Sequence, residues 1–481
     1  MSWTPTIHIQ LEPMKTMARC RIVGCTILAV LFHAGLPARA QVEVWLTSPQ
    51  ESARFEKQKV GLIFTNGPGT VPAIEVDESR TFQTIDGFGF CLTGGSATHL
   101  KQMSAPARAA VLNELFSAEG TNIGTSYLRV TIGASDLNDR VYSYDDLLPG
   151  QTDLDLTRFS LDPDRSEVIP ILKEILTINP DLRILASPWS PPAWMKTNHD
   201  TVGGSLDPEF YPAYAKYFVK YIKAMQAERI SVDAITVQNE PLNPKNNPSL
   251  VMLAPEQAEF IKNHLGPAFR AASINTKILL YDHNADRPDY PISILDDPDA
   301  RKFVDGSAFH LYRGPIEALA KVHDAYPDKS LYFTEQWVSA PGNLKGDLDW
   351  HVKMLIIGAT RNWSRTVLEW NLTSNPALTP YTDRGGCTRC LGAVTVDGDQ
   401  VVRNPAYYII AHAAKFVRPG SVRVASNYPE TLPNVAFLSS AGRRILIVLN
   451  SSPTPQAFDI LWKDQRCHSS LREGAVGTYV W

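Results

Sequence analysis

Charge of one sign is what this chain has least of. Its 46 lysines and arginines nearly balance 50 aspartates and glutamates, for a formal net charge of −4 and a pI near 6.3. Such a balance builds no basic face of the kind that holds nucleic acid or anionic lipid. Beyond the first forty residues there is also no apolar run long enough for a transmembrane helix, so no stable membrane insertion is expected. Histidines are sparse, eleven in 481 residues, and none are spaced His-x-x-x-His. Metal-dependent hydrolysis is therefore disfavoured, and neither a metal nor another cofactor is expected. Low-complexity linkers and internal repeats are missing as well. The six cysteines are too few for a disulfide-built scaffold of this length.

What is present begins with an export signal. Lys15, Arg19 and Arg21 form a basic region, Ile22 to Leu36 is mostly apolar, and Ala38-Arg39-Ala40 has the small-x-small pattern of a cleavage site. The mature chain is expected to begin near Gln41, from a start at Met1, Met14 or Met17, and to be secreted or periplasmic. Cys20 and Cys25 leave with that segment; Cys91, Cys387, Cys390 and Cys467 remain. In an exported protein Cys387-x-x-Cys390 is most simply a local disulfide across a Gly-rich loop. Zinc would need Cys467 and His468 as further ligands.

Between about Gln83 and Gly398, short apolar runs alternate with longer amphipathic ones, the pattern of a βα series. Eight runs read as strands: 84–88, 126–131, 183–187, 234–238, 278–281, 307–310, 331–334 and 366–370. Helical segments lie between them, including 107–116 after Ser104, 166–177 and 207–227. The expectation is an α/β fold, a (β/α)8 TIM barrel, whose chemistry sits at the C-terminal strand ends. Val42 to Ile74 and Val401 to Trp481 instead hold short alternating runs between Ser, Pro, Gly and Asn turns. They predict a side β-sandwich, antiparallel, built from both chain ends and packed rigidly on the barrel. The expected organisation is residues 1–40 signal, 41–80 and 401–481 sandwich, and 81–400 catalytic barrel.

Two strand ends carry chemistry. Thr236-Val-Gln-Asn-Glu-Pro241 delivers Glu240 after the fourth strand, and Leu331-Tyr-Phe-Thr-Glu335 delivers Glu335 at the end of the seventh. Across a closed barrel these ends can converge, and carboxyls about 5–5.5 Å apart suit double displacement at a sugar's anomeric carbon with retention. One carboxyl must be ionised to attack, and the other protonated to help the leaving oxygen depart. Ten tryptophans and seventeen tyrosines are available to stack on sugar rings. A solvated or ion-paired surface glutamate is the ordinary state of a lone strand-end carboxyl; two such ends in aromatic and amide company are not ordinary.

From Gln83 to Trp481 the chain resembles glycoside hydrolase family 30, which includes glucosylceramidases and microbial β-1,6-glucanases. The matching stretches are Ile85-Asp-Gly-Phe-Gly89, Leu128-Arg-Val130, Ala186-Ser-Pro-Trp-Ser-Pro-Pro-Ala-Trp-Met-Lys-Thr-Asn198, Gln238-Asn-Glu-Pro241, Phe309-His-Leu-Tyr312, Phe333-Thr-Glu335 and Trp370-Asn-Leu372. The resemblance implies Glu240 as acid/base and Glu335 as nucleophile. It also implies Asn239 at the sugar 2-OH, Trp189 and Trp370 as wall and floor of the sugar site, Arg129 holding Glu335, and His310 and Tyr312 beside it. One departure stands out. Where glucosylceramidase-type members have a sugar-binding Asp, this chain has Gly94, and Thr93, Ser96 or a backbone group is expected to compensate. Asp136 and Asp282 are further candidates. The implied partner is a carbohydrate or glycolipid: a β-1,6-glucan, a gluco-oligosaccharide or glucosylceramide. The rivals are a family 30-like xylanase and a non-catalytic glycan-binding protein on a barrel scaffold.

Overall fold

In a computed structural model the structure describes residues 41–481, together with Met1 and Gln10; the expected export signal lies outside the described residues. Eight parallel strands close into a barrel in chain order. They are β1 (Gly87–Leu92), β2 (Tyr127–Thr131), β3 (Arg183–Ser187), β4 (Ala234–Thr236), β5 (Lys277–Asn284), β6 (Gly306–His310), β7 (Ser330–Glu335) and β8 (Ser364–Asn371). Their side chains are buried almost without interruption, as strands covered by helices on one side and a filled interior on the other must be.

The interior is layered. Tyr127, Leu185, Ala234, Leu279, Ala308, Tyr332 and Leu368, one from each of β2 to β8, form a single buried apolar cluster. Because a strand's side chains repeat on one face every second residue, the next inward positions toward the C-terminal mouth are Arg129, Ser187, Thr236, His310, Thr334 and Trp370. The polar layer of the site therefore follows from the apolar one by simple alternation. On β5 the step is three residues, to Asp282. Tyr281 and Asp282 both have positive φ (70° and 62°), and pairing with β6 shifts register between Ala308 and Phe309.

The first strand begins later than its sequence indicates. Thr84 ends a long sandwich strand, Ala73–Thr84. Ile85 and Asp86 form the join, with Asp86 paired to Arg183 and Arg365 beneath the barrel. The sandwich combines strands from both chain ends around its own core, which includes Val42, Phe64, Ile74, Leu446, Phe458 and Tyr479. Most of its pairs are antiparallel, but Gln456–Trp462 runs parallel to Ala73–Thr84. Strands so far apart in sequence are not constrained by a hairpin, so parallel pairing is open to them.

Helix Pro405–Ala414 fastens the sandwich to the barrel. His412 is fully buried there and bonds Thr47 Oγ1 and Thr478 Oγ1, both at 2.8 Å. Burial holds its pKa down at about 3, so the ring is neutral and bridges two hydroxyls. His412→Leu is expected to destabilise the fold by roughly 1–3 kcal/mol: Thr47 Oγ1 keeps Phe55 N and Thr478 Oγ1 keeps the carbonyl of residue 412, so two hydrogen bonds are lost at about 0.5–1.5 kcal/mol each. Chemical denaturation checks this, with activity of the folded fraction unchanged.

Candidate active site

Arg129 organises the barrel mouth. Its guanidinium is wholly buried and donates in four directions: to Glu335 Oε2, to Asp282 Oδ2 and Asn239 Oδ1 at 2.7 Å each, and to Ser187 Oγ at 3.1 Å. Above it Trp189 and Trp370 stack at 5.2 Å between centroids and 30° between planes, with the guanidinium 4.8 and 5.7 Å from the two rings. A cation under paired indoles gives a rigid floor. Asn239 has its oxygen committed to Arg129, which leaves its NH2 group free to point outward.

Asp282 is the buried partner of that cation. Besides Arg129 it accepts from Thr236 Oγ1 (2.7 Å), Thr334 Oγ1 (2.6 Å), Ser187 Oγ (3.2 Å) and His310 Nε2 (3.1 Å). Burial alone would raise its pKa, but the Arg129 charge, then His310 and Thr334, hold it far below the usual carboxylate range. Such a carboxylate is an anchor: it fixes Arg129 and His310 from below and does not reach the cavity.

Carboxylate oxygens of Glu240 and Glu335 lie within 4.8 Å of each other and of a His310 ring nitrogen. Glu335 accepts from Tyr312 Oη at 2.9 Å as well as from Arg129. Glu240 sits at positive φ (45°), with its amide bonded to the Asp282 carbonyl at 2.9 Å. That bend turns its carboxyl inward, where Asn243 Nδ2 (2.7 Å) and Asn246 Nδ2 (3.3 Å) donate to Oε2. His310 Nδ1 stands between the glutamates, 3.4 Å from Glu240 Oε1 and 3.8 Å from Glu335 Oε1.

The two glutamates are unequal. Burial pushes both upward, yet for Glu240 the hydrogen bond and charge of His310, then His283 and Asn243, more than reverse it and hold it near pKa 2. For Glu335 burial outweighs the opposing His310 and Arg129 charges, and Glu240 adds to the rise. His310 itself is raised to about 9: burial works against its charge, and Glu335, Asp282 and Glu240 overcome it. Before substrate arrives, a proton thus rests on His310 and none on Glu240, while Glu335 is shifted the opposite way from Glu240.

Two cavities meet at Glu240 and Tyr312. One, of about 210 Å³, is lined by Trp189, Trp370, Trp337, Glu335, Asp136 and the Cys387–Cys390 loop. The other, of about 570 Å³, continues beyond Glu240 past Asn243, Lys245, His283, Asp286, Arg287 and Arg313. Cys387 and Cys390 form a disulfide whose loop walls the first cavity. Cys467 is a free, buried thiol in the sandwich core.

All eight residues singled out from the sequence, Glu240, Glu335, Asn239, Arg129, Trp189, Trp370, His310 and Tyr312, converge here. The expected compensation at Gly94 takes another form. Thr93 Oγ1 accepts from Ser96 N at 3.1 Å, and Ser96 Oγ donates to Asn371 Oδ1 at 2.8 Å. Both hydroxyls thus hold the helix start and turn from the cavity. A Cβ at position 94 would lie 1.9 Å from Asn138 Nδ2, so a side chain here would have to displace the Asn138 amide, whose Oδ1 accepts from Ser135. Trp337, Asn243 and Asn246 were not anticipated. Trp337 is two residues past Glu335, and an aromatic at that offset from a strand-end carboxyl is a usable signal; the asparagines reach Glu240 through a loop without a periodic pattern.

A closed parallel barrel with two near carboxyls at its C-terminal mouth, on an aromatic floor, is the arrangement of a glycoside hydrolase. The comparisons agree. Residues 85–417 match the glycosyl hydrolase family 30 TIM-barrel domain and 420–479 the family 30 beta sandwich domain, and the chain belongs to that family. An endo-1,6-β-D-glucanase of Neurospora crassa is 34% identical over 447 residues, covering 88% of this chain and 91% of its own. A lysosomal acid glucosylceramidase of Mus musculus is 29% identical over 451 residues, 88% and 86% of the two chains. The solved structure of the endo-β1,6-glucanase BT3312 superposes with a TM-score of 0.85 at 32% identity, over 92% of this chain and 99% of that one. The protein is a β-glycoside hydrolase of this family.

Proposed function

We propose that the protein is an exported, retaining β-1,6-glucanase that cleaves within the chain, with Glu335 as nucleophile and Glu240 as acid/base. The observation that carries this reading is the pair of cavities joined at Glu240. The smaller, aromatic-floored one suits a single sugar ring. The larger one is lined by amides and charged groups, which suits further hydroxylated units and offers a ceramide tail little apolar surface. The named activities of the glucanase relatives support the linkage and the internal cleavage, and the Ala38-Arg39-Ala40 pattern supports export.

The groups present supply each step. Glu335, held by Arg129 and Tyr312, attacks the anomeric carbon as the bond to the leaving oxygen breaks, and that oxygen takes the proton of Glu240. Water then attacks the same carbon, gives its proton to Glu240, and the ester to Glu335 breaks. Asn239 offers its free NH2 to the sugar 2-OH, an interaction that tightens as the ring becomes oxocarbenium-like. Because the resting proton lies away from Glu240, it must reach that carboxyl when substrate binds. His310 Nδ1, near both glutamates, is placed to pass it.

The test is digestion of β-1,6-, β-1,3- and β-1,4-glucans, glucosylceramide and xylan, with proton NMR during the reaction. A ladder of oligosaccharides from β-1,6-glucan, released first as β-anomers, is expected. Initial α-anomers would overturn retention, and preferential release of ceramide or xylose products would overturn the substrate. Within this scheme Tyr312→Phe removes one donor to the Glu335 carboxylate. A hydrogen bond to a charged group is worth about 1.5–3 kcal/mol, so kcat/KM is expected to fall roughly 10- to 100-fold. Steady-state kinetics on an aryl β-glucoside measure it.

A further inference from the structure

The larger cavity contains a buried imidazole that has no part in these steps. Glu335 lines the smaller cavity, His283 the larger one, and Glu240 both. Glu240 gives its proton to the departing oxygen, so the unit that departs lies on the His283 side. His283 stands near the end of β5, directly after the residue whose carbonyl accepts the Glu240 amide at 2.9 Å. Its ring centre is 6.3 Å from that of His310.

The strand end holds this ring firmly. Asn284, the next residue, accepts from Tyr312 N at its Oδ1 (2.9 Å) and from Tyr281 Oη at its carbonyl (2.7 Å). The ring itself, in a residue 7% exposed, is left without a partner. Nδ1 is shut away and bonds nothing among the described residues. Nε2 bonds no protein group there either, and it is the nitrogen open to the cavity. Burial holds the pKa down at about 4 against the charge of Glu240, so the ring is neutral and carries one proton. Buried N–H groups without an acceptor are rarer than buried lone pairs without a donor, which places that proton on Nε2. A polar side chain buried, fixed and unpaired at a cavity wall is explained by a ligand that takes its hydrogen bond.

We propose that His283 determines specificity on the leaving side, its Nε2–H donating a hydrogen bond to an oxygen of the glucose unit that departs. The inference rests on the glucan reading. Asn243 and Asn246, on the same wall, direct their amides at Glu240, whereas the His283 N–H is uncommitted. A departing sugar offers a ring oxygen and hydroxyls to such a donor. A simple alkyl group departing through the same kind of primary oxygen offers none.

The experiment takes the ratio of kcat/KM on a β-1,6-linked gluco-oligosaccharide to that on hexyl β-glucoside. Both substrates release a primary alcohol, so an effect of a variant on Glu240 or on the shared sugar pocket cancels in the ratio. His283→Leu, close in volume but without a donor, is expected to lower the ratio about tenfold, the loss of one hydrogen bond to the departing sugar. His283→Gln carries an amide NH2 where Nε2 stood, and should keep the ratio within about threefold of the parent. A ratio unmoved in His283→Leu would overturn the assignment alone, and so would a ratio as low in His283→Gln as in His283→Leu, which would make the ring's shape and not its N–H the cause. A parent enzyme that leaves β-1,6-linked oligosaccharides intact would overturn the glucan reading and this proposal with it, and would show before any variant is made.

Discussion

Replacing Glu335 by glutamine is expected to lower kcat/KM on β-1,6-glucan by about 10⁴-fold or more, because an amide cannot form the glycosyl ester on which both half-reactions depend. The variant should fold. Its carbonyl can still accept from Arg129, and its NH2 can donate to the Tyr312 oxygen now at Glu335 Oε1. Asp282 keeps the Arg129 charge paired. Activity loss with an unchanged thermal midpoint separates chemistry from folding, and a loss smaller than about tenfold would remove Glu335 from the reaction. Chemical rescue then decides which glutamate does what, because burial shifts Glu335 upward while His310 holds Glu240 down, the reverse of a resting nucleophile and acid. Azide added to Glu335→Gly should give the α-glucosyl azide, attack coming from the face the carboxylate used. Azide added to Glu240→Gly should intercept the glycosyl-enzyme and give the β-azide. The opposite products would exchange the two roles.

How far the sequence reveals this site depends on how local each signal is. The eight strands are legible because each is a short apolar run between turn residues, and Glu240 and Glu335 because a carboxyl ends such a run abruptly. Arg129, His310 and Trp370 come from the family resemblance, and the structure places each two residues beyond an apolar inward position. Asp282 does not fit that spacing. Its inward placement needs positive φ at Tyr281 and Asp282 and a register shift against β6, which alternation does not encode. Its five hydrogen-bond partners come from five different strands. The contact of Gly94 with Asn138 spans 44 positions, so the sequence marks the glycine but not the reason for it. The disulfide is a local motif, whereas its service as a cavity wall arises only when the loop folds back over β2. The first strand is misplaced because a sandwich strand runs into it with a two-residue join.

The other large effect concerns Arg129, where stability and catalysis are tied together and can be separated. Arg129→Met leaves Asp282 and Glu335 buried with their cation removed, and the pairs it breaks have side chains 0% and 8% exposed. Breaking a buried pair costs about 3–5 kcal/mol, a large part of the 5–15 kcal/mol that holds a typical domain together. The thermal midpoint should drop by on the order of 5–10 °C. Activity should fall by about 10³-fold, since Glu335 and Asn239 lose the donor that orients them. With the cation gone the Glu335 pKa rises further; the nucleophile must be ionised, so the acidic limb of kcat/KM moves to higher pH. Adding Asp282→Asn neutralises the carboxylate stranded beneath the site. The double variant should recover much of the midpoint, because the two residues act on one interaction and their effects are not additive. It should recover none of the activity, because Glu335 still lacks its cation. Recovery of both would make Arg129 a structural residue only, and recovery of neither would place its contribution in packing beneath Trp189 and Trp370.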